Sequence, residues 1–129
     1  MKKIILHTIL LLLFPLALFS QRVVFCEKVN SLGKPENASS VFTISGKGGY
    51  FKVLVNLKNK VESKKVVFDI YKIDGEKKSL DNTIKMEVNP SLTWFYKEIT
   101  FFKEGEYHVY VYDEKDKLLG VGKVHIKIR

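Results

Sequence analysis

The run Glu104-Gly105-Glu106-Tyr107-His108-Val109-Tyr110-Val111-Tyr112-Asp113 decides how the rest of the chain is read. Gly105 breaks what precedes it, and Tyr107, Val109 and Val111 then alternate with His108, Tyr110 and Tyr112. A period of two over this length predicts a strand whose Tyr107 face lies against a core. Downstream, Val124, Ile126 and Ile128 alternate with Lys123, His125 and Lys127, which predicts its hairpin partner. A two-residue turn at Lys115-Asp116 sets Tyr107 opposite Val124 and Val109 opposite Gly122, so core positions meet core positions. Gly120 and Gly122 then point inward, which predicts a bulge or the close approach of another segment.

Upstream the same period recurs in shorter pieces. Trp94 to Phe102 is aromatic on both faces, which predicts a central or bulged strand. Ile84, Met86 and Val88 mark a strand from Thr83 to Val88, ended by Asn89-Pro90-Ser91 because proline cannot continue a ladder. Val66, Phe68 and Ile70 alternate with Val67, Asp69 and Tyr71, and Asp74-Gly75 closes that strand with a turn. Lys58 to Lys64 is a charged connection. Tyr50 to Leu57 carries Phe51, Val53, Val55 and Leu57 on one side, Ser40 to Ser45 turns Phe42 and Ile44 inward, and Val23 to Val29 opens apolar on both sides. Asn30 to Asn37 is a loop dense in turn formers. Gly46-Lys47-Gly48-Gly49 has the glycines of a phosphate cradle, but that motif needs a following Lys-Ser/Thr and a helix. A strand follows instead, so a hairpin-like turn with positive φ is expected. Helical periodicity is confined to the N-terminal leader. Short strands separated by polar turns predict an all-β sandwich of seven to eight strands.

The chain has 129 residues and a formal charge of +8. Lys2 and Lys3 followed by the apolar run Ile4 to Phe19 read as a signal peptide over residues 1–20, with cleavage after Ser20. The run is short for a membrane span and contains Pro15. Phe25 stands where a lipobox needs a small residue before Cys26, so acylation there is not expected. The mature domain, residues 21–129, is expected to be exported to the periplasm or extracellular space with no stable membrane insertion. Its charge, 20 basic against 14 acidic residues, is spread over turns and strands with no compact basic run. Nucleic acid is therefore not an expected partner. Cys26 is the only cysteine. An internal disulfide is impossible, and an inert buried thiol is the ordinary reading.

Lys103-Glu104-Gly105-Glu106-Tyr107-His108-Val109 resembles the corner that enters the sixth strand of immunoglobulin-like β-sandwiches, as found in secreted bacterial modules. There a tyrosine hydroxyl ties the corner to backbone upstream. Val109 stands where antibody-type domains place a cysteine, and the tryptophan of their third strand is missing, with Phe68 the nearest substitute. The resemblance implies a single, disulfide-free, antiparallel immunoglobulin-like sandwich in which Gly105 and Tyr107 are structural. By analogy alone it implies a binding or structural role.

For chemistry the sequence offers little. His108 and His125 lie diagonally across the last hairpin, with no third ligand placed by spacing, so no metal or other cofactor is expected. No Gly-x-Ser-x-Gly or Cys-x-x-Cys motif occurs, and an enzyme is not expected. The outward face of the last two strands is more informative. Tyr110, Tyr112, His108, Lys123 and His125 share it, and an immunoglobulin-like layout sets Tyr71 alongside. Aromatic bodies ringed by cations make good contact surfaces, although tyrosines also stabilise sheets through cross-strand pairs. Two roles follow as expectations. One is a binding module for an envelope protein or glycan. The other is an accessory subunit that pairs edge to edge with a larger envelope partner through its first or last strand.

Overall fold

The computed structural model describes residues 22–129, and the leader expected at residues 1–20 lies outside them. All ten elements are strands: β1 (Val23–Cys26), β2 (Lys28–Val29), β3 (Pro35–Glu36), β4 (Val41–Ile44), β5 (Gly49–Asn56), β6 (Lys65–Asp74), β7 (Lys77–Glu87), β8 (Trp94–Phe101), β9 (Gly105–Asp113) and β10 (Leu118–Ile128). They form a three-stranded sheet β1-β5-β8, a five-stranded sheet β4-β10-β9-β6-β7 and the small pair β2-β3.

Alternation dictates what the two larger sheets share. Val23, Phe25, Phe51, Val53, Val55, Phe95, Ile99 and Phe101 of the first pack against Val66, Phe68, Ile70, Tyr107, Val109, Val111, Val124 and Ile126 of the second in one core. Phe68 meets Phe95 edge-on across the interface at 6.3 Å between ring centres, and Phe101 meets Tyr107 at 4.9 Å. Such pairs add to the gain from area burial.

The last hairpin pairs Tyr107 with Val124 and Val109 with Gly122, as expected. Its turn differs. Asp113 N donates to Lys117 O and Asp116 takes φ 64°, so the loop spans residues 114–116, one more than expected. A bulge between Leu118 and Gly120 absorbs the extra residue and restores the register. Gly122 is also a close approach, since a Cβ there would lie 2.6 Å from Val23 Cγ1 and 2.9 Å from Phe25 Cε2 of the opposite sheet.

Four expectations need correction. The sheets are not wholly antiparallel, because β4 runs parallel to β10. The turn at Ser45–Gly48 therefore passes the chain from one sheet to the other instead of closing a hairpin, with Gly48 at φ 110°. The strand expected from Thr83 begins at Lys77, continuing the Asp74-Gly75 turn through a bulge near Asp81. Its polar residues conceal it from an apolar-periodicity test because β7 is an edge. Finally, β8 is an edge and not central. Its outward Trp94 is covered by the loop after β2, where Gly33 (φ 75°) lies against the indole, an added Cβ falling 2.5 Å from Cδ2. Leu54 and Cys26 are also buried, yet stand outside the main core.

Candidate tyrosine face and basic loop basin

The outer face of the five-stranded sheet follows from the pairings. Asp69 pairs with Tyr110, Tyr71 with His108, and Val67 with Tyr112 between β6 and β9, while His108 pairs with Lys123 and Glu106 with His125 between β9 and β10. Tyr71, His108, Tyr110, Tyr112, Lys123 and His125 thus share one continuous face. Tyr71 meets Tyr110 edge-on at 5.4 Å, and Tyr110 stacks on Tyr112 at 6.5 Å. The three phenols form one row, half-buried by mutual packing, whereas Lys123 and His125 are exposed.

One contributor was not legible in sequence. Lys78 reaches from β7 and sets its ammonium 4.3 Å from the Tyr71 ring centre and 3.9 Å from that of Tyr110. The negative ring faces attract the cation. Residues 77–82 carry no apolar alternation, and the Asp74-Gly75 turn is the one local signal of the strand that bears Lys78. Asp69 Oδ1 accepts a 2.9 Å hydrogen bond from Thr83 Oγ1, pinning β7 to the same face. Burial pushes the Tyr112 phenol above its ordinary value; Tyr71 and Asp69 reinforce the shift and Lys78 opposes it. His108 Nε2 lies 3.4 Å from Glu106 Oε1, and His125 stands two pairs further along the hairpin. Among the described residues, no group of three or more His, Cys, Asp or Glu is arranged to hold a metal ion.

The structural pair behaves differently. Tyr107 is buried, and its hydroxyl donates a 2.9 Å hydrogen bond to Lys103 O, four residues upstream. Gly105 takes φ 143°, in a region side chains disfavour, and packs near the Lys72 stem. Burial, then Asp81 and Asp74, raise the Tyr107 phenol. Cys26 is fully buried, with Sγ 3.8 Å from Lys52 O, and burial raises its thiol despite nearby Lys52.

At one end of the molecule the connection after β5 and the turn after β9 enclose a basin of about 710 Å³. Lys58, Lys60, Lys115, Lys117 and Arg22 line it, with Glu62 and Asp113. The charged connection expected at residues 58–64 is thus anchored: Val61 and Ser63 are buried within it, and Val61 N donates to Leu92 O.

Neither a protein-family model nor a curated protein matches the chain. Among solved structures, a single-substitution variant of the superoxide reductase (neelaredoxin) from Ignicoccus hospitalis aligns with a TM-score of 0.46 and 11% identity over 86% of each chain. A second structure of superoxide reductase (neelaredoxin) from the same organism aligns with a TM-score of 0.39 and 13% identity, again over 86% of each chain. Both are enzymes by name, so the expectation that this chain is not an enzyme is corrected: its all-β build does not exclude catalysis. At these scores the likeness carries no substrate or reaction over to this chain.

Proposed function

We propose that the chain is an exported binding module of immunoglobulin-like architecture that recognises an envelope protein or glycan through the outer face of its five-stranded sheet. The observation that carries this is the row Tyr71-Tyr110-Tyr112, held as one half-exposed aromatic strip with Lys78 across it and Lys123 and His125 beside it. Rigid phenols offer contact area at low entropic cost, and the cations add polar contacts at the rim. The architectural part draws support from the Tyr107–Lys103 tether and from the neighbouring order of β10, β9 and β6. The basic, apolar leader at residues 1–20 supports export.

A second role, edge-to-edge pairing as an accessory subunit, is favoured by one observation: β8 is an eight-residue edge strand with an unbroken register against β5. The last strand cannot serve, because β10 lies between β4 and β9. At the other long edge, β7 is blunted by Lys77, Lys85 and its bulge.

Crosslinking and capture from a native envelope fraction separates the two. Wild-type protein is expected to capture a partner, and the Tyr110→Ser/Tyr112→Ser variant, checked by circular dichroism to be folded, is expected to lose it. Undiminished capture by that folded variant overturns the tyrosine face and leaves an edge of the three-stranded sheet, β8 or the first strand β1.

A further inference from the structure

We propose that the basin between the β5–β6 connection and the β9–β10 turn is a binding site for a phosphate-bearing ligand carrying several negative charges. It stands apart from the tyrosine face and does not rest on it. In sequence its cations are scattered among acids, as in Asp113-Glu114-Lys115-Asp116-Lys117, and look like an ordinary solvated surface. Folding brings Lys58 and Lys60 from one loop to Lys115 and Lys117 from another, with Arg22 at the start of the first strand.

Two of the nearby carboxylates are engaged by backbone N–H groups, while Glu62 remains in the lining. Asp113 Oδ1 accepts from the backbone N–H groups of Lys115 and Lys117 at 2.8 and 2.9 Å, closing its own turn. Glu114 Oε2 accepts from Lys64 N at 3.2 Å. Among the described residues no ion pair within 4.0 Å joins any of the four lysines to a carboxylate. Five cations and two acids therefore line one concavity, and the lysine charges are not neutralised locally. At physiological salt, screening sets in over roughly 8 Å, so cations gathered round one basin reinforce each other at a ligand bound within it.

The backbone beneath is fixed in advance. Leu57 N donates to Thr93 O at 2.7 Å, and Glu62 N donates to Pro90 O at 2.9 Å, tying the first loop down. Buried Ser63 Oγ accepts from Glu114 N at 3.1 Å and donates to Lys65 O at 2.6 Å, which joins the two loops. Only the lysine stems remain to be ordered on binding, which lowers its entropic cost. The volume, about 710 Å³, lies within the range of small-molecule sites. Lysine ammonium groups bind phosphate oxygens as compact point charges, and the guanidinium of Arg22 in the same lining is of the planar type that also matches phosphate.

The source, a soluble phosphorylated compound or a phosphomonoester lipid headgroup, is separated by two probes: inorganic tripolyphosphate followed by calorimetry, and phosphatidylcholine vesicles containing phosphatidic acid followed by co-sedimentation. Three variants are compared with the wild type: Lys60→Gln/Lys117→Gln, Lys58→Gln/Lys115→Gln, and the charge-matched control Lys47→Gln/Lys127→Gln at the opposite end. All the lysines are exposed, so urea midpoints are expected to be unchanged. We expect saturable binding that weakens about tenfold or more in each basin variant, because charge-assisted contacts are among the stronger polar ones, and less than about twofold in the control. Binding of tripolyphosphate assigns a soluble source, and binding of vesicles alone assigns a headgroup. Equal weakening in the control, or no binding of either probe, overturns the proposal.

Discussion

The buried hydroxyl of Ser63 accepts a hydrogen bond from the backbone N–H of Glu114, 51 residues further along the chain, at 3.1 Å. The same hydroxyl donates to Lys65 O at 2.6 Å, so one small side chain ties the start of β6 to the β9–β10 turn. Ser63→Ala leaves both groups seeking water in a crowded place. We expect it to lower stability by about 1–2 kcal/mol in urea melts, the usual cost of orphaning a partly buried polar group. A cost near zero would mean that the loops are not joined through this residue.

Tyr107 and Tyr110 stand on opposite faces of β9, which makes their phenylalanine variants a paired test. Tyr107→Phe keeps the buried ring and removes the bond to Lys103 O. Because Lys103 is exposed, water can reach its freed carbonyl, and the expected cost is about 0.5–1.5 kcal/mol. Tyr110→Phe preserves the ring that Lys78 overlies, and its expected effect is within about 0.5 kcal/mol. Urea melts of both variants make the comparison, and a reversed order would mean that the faces of β9 have been exchanged.

The Tyr107 phenol also sets an alkaline limit. Burial, with Asp81 and Asp74 adding, raises its proton affinity in the folded state. The folded chain then holds this proton more tightly than the unfolded chain does. The resulting stabilisation is complete below the ordinary phenol value of about 10 and is lost as pH rises through the raised one. Melting temperatures measured from about pH 8.5 to 11.5 should fall more steeply for wild type than for Tyr107→Phe, with Tyr112 leaving a residual slope. Parallel curves would show that Tyr107 ionises as freely folded as unfolded.

Gly33 is held in the left-handed region while its backbone touches the Trp94 ring. An alanine there meets both obstacles, a disfavoured φ and an indole 2.5 Å from its Cβ. We expect Gly33→Ala to cost about 1–3 kcal/mol. Trp94 is the only tryptophan, so the fluorescence maximum should shift to the red as the loop lifts. Unchanged emission and stability would show that the loop does not cover the ring.

Period-two alternation was enough to place Tyr107, Val109 and Val111 inward and to set the register of the last hairpin, because a slip of one residue would turn every core side chain outward. The same logic located His108, Tyr110, Tyr112, Lys123 and His125 on one outer face. It recovered the register in spite of the wrong turn length, since the bulge at Leu119 compensates for the additional loop residue. Alternation also explains the inward glycine at 122, which only a second sheet can require.

Which strands become neighbours is a different matter. A strand's own sequence states which side chains share a face but not which sheet receives its backbone. That β4 runs parallel to β10, that β7 and β8 are edges, and that β10 is enclosed were decided by the packing of two sheets over one core. The placement of Lys78 over two tyrosines and the gathering of Lys58, Lys60, Lys115 and Lys117 round one basin arise the same way. Their contacts join segments far apart in the chain, and a solvated lysine carries no local signal of what it will face.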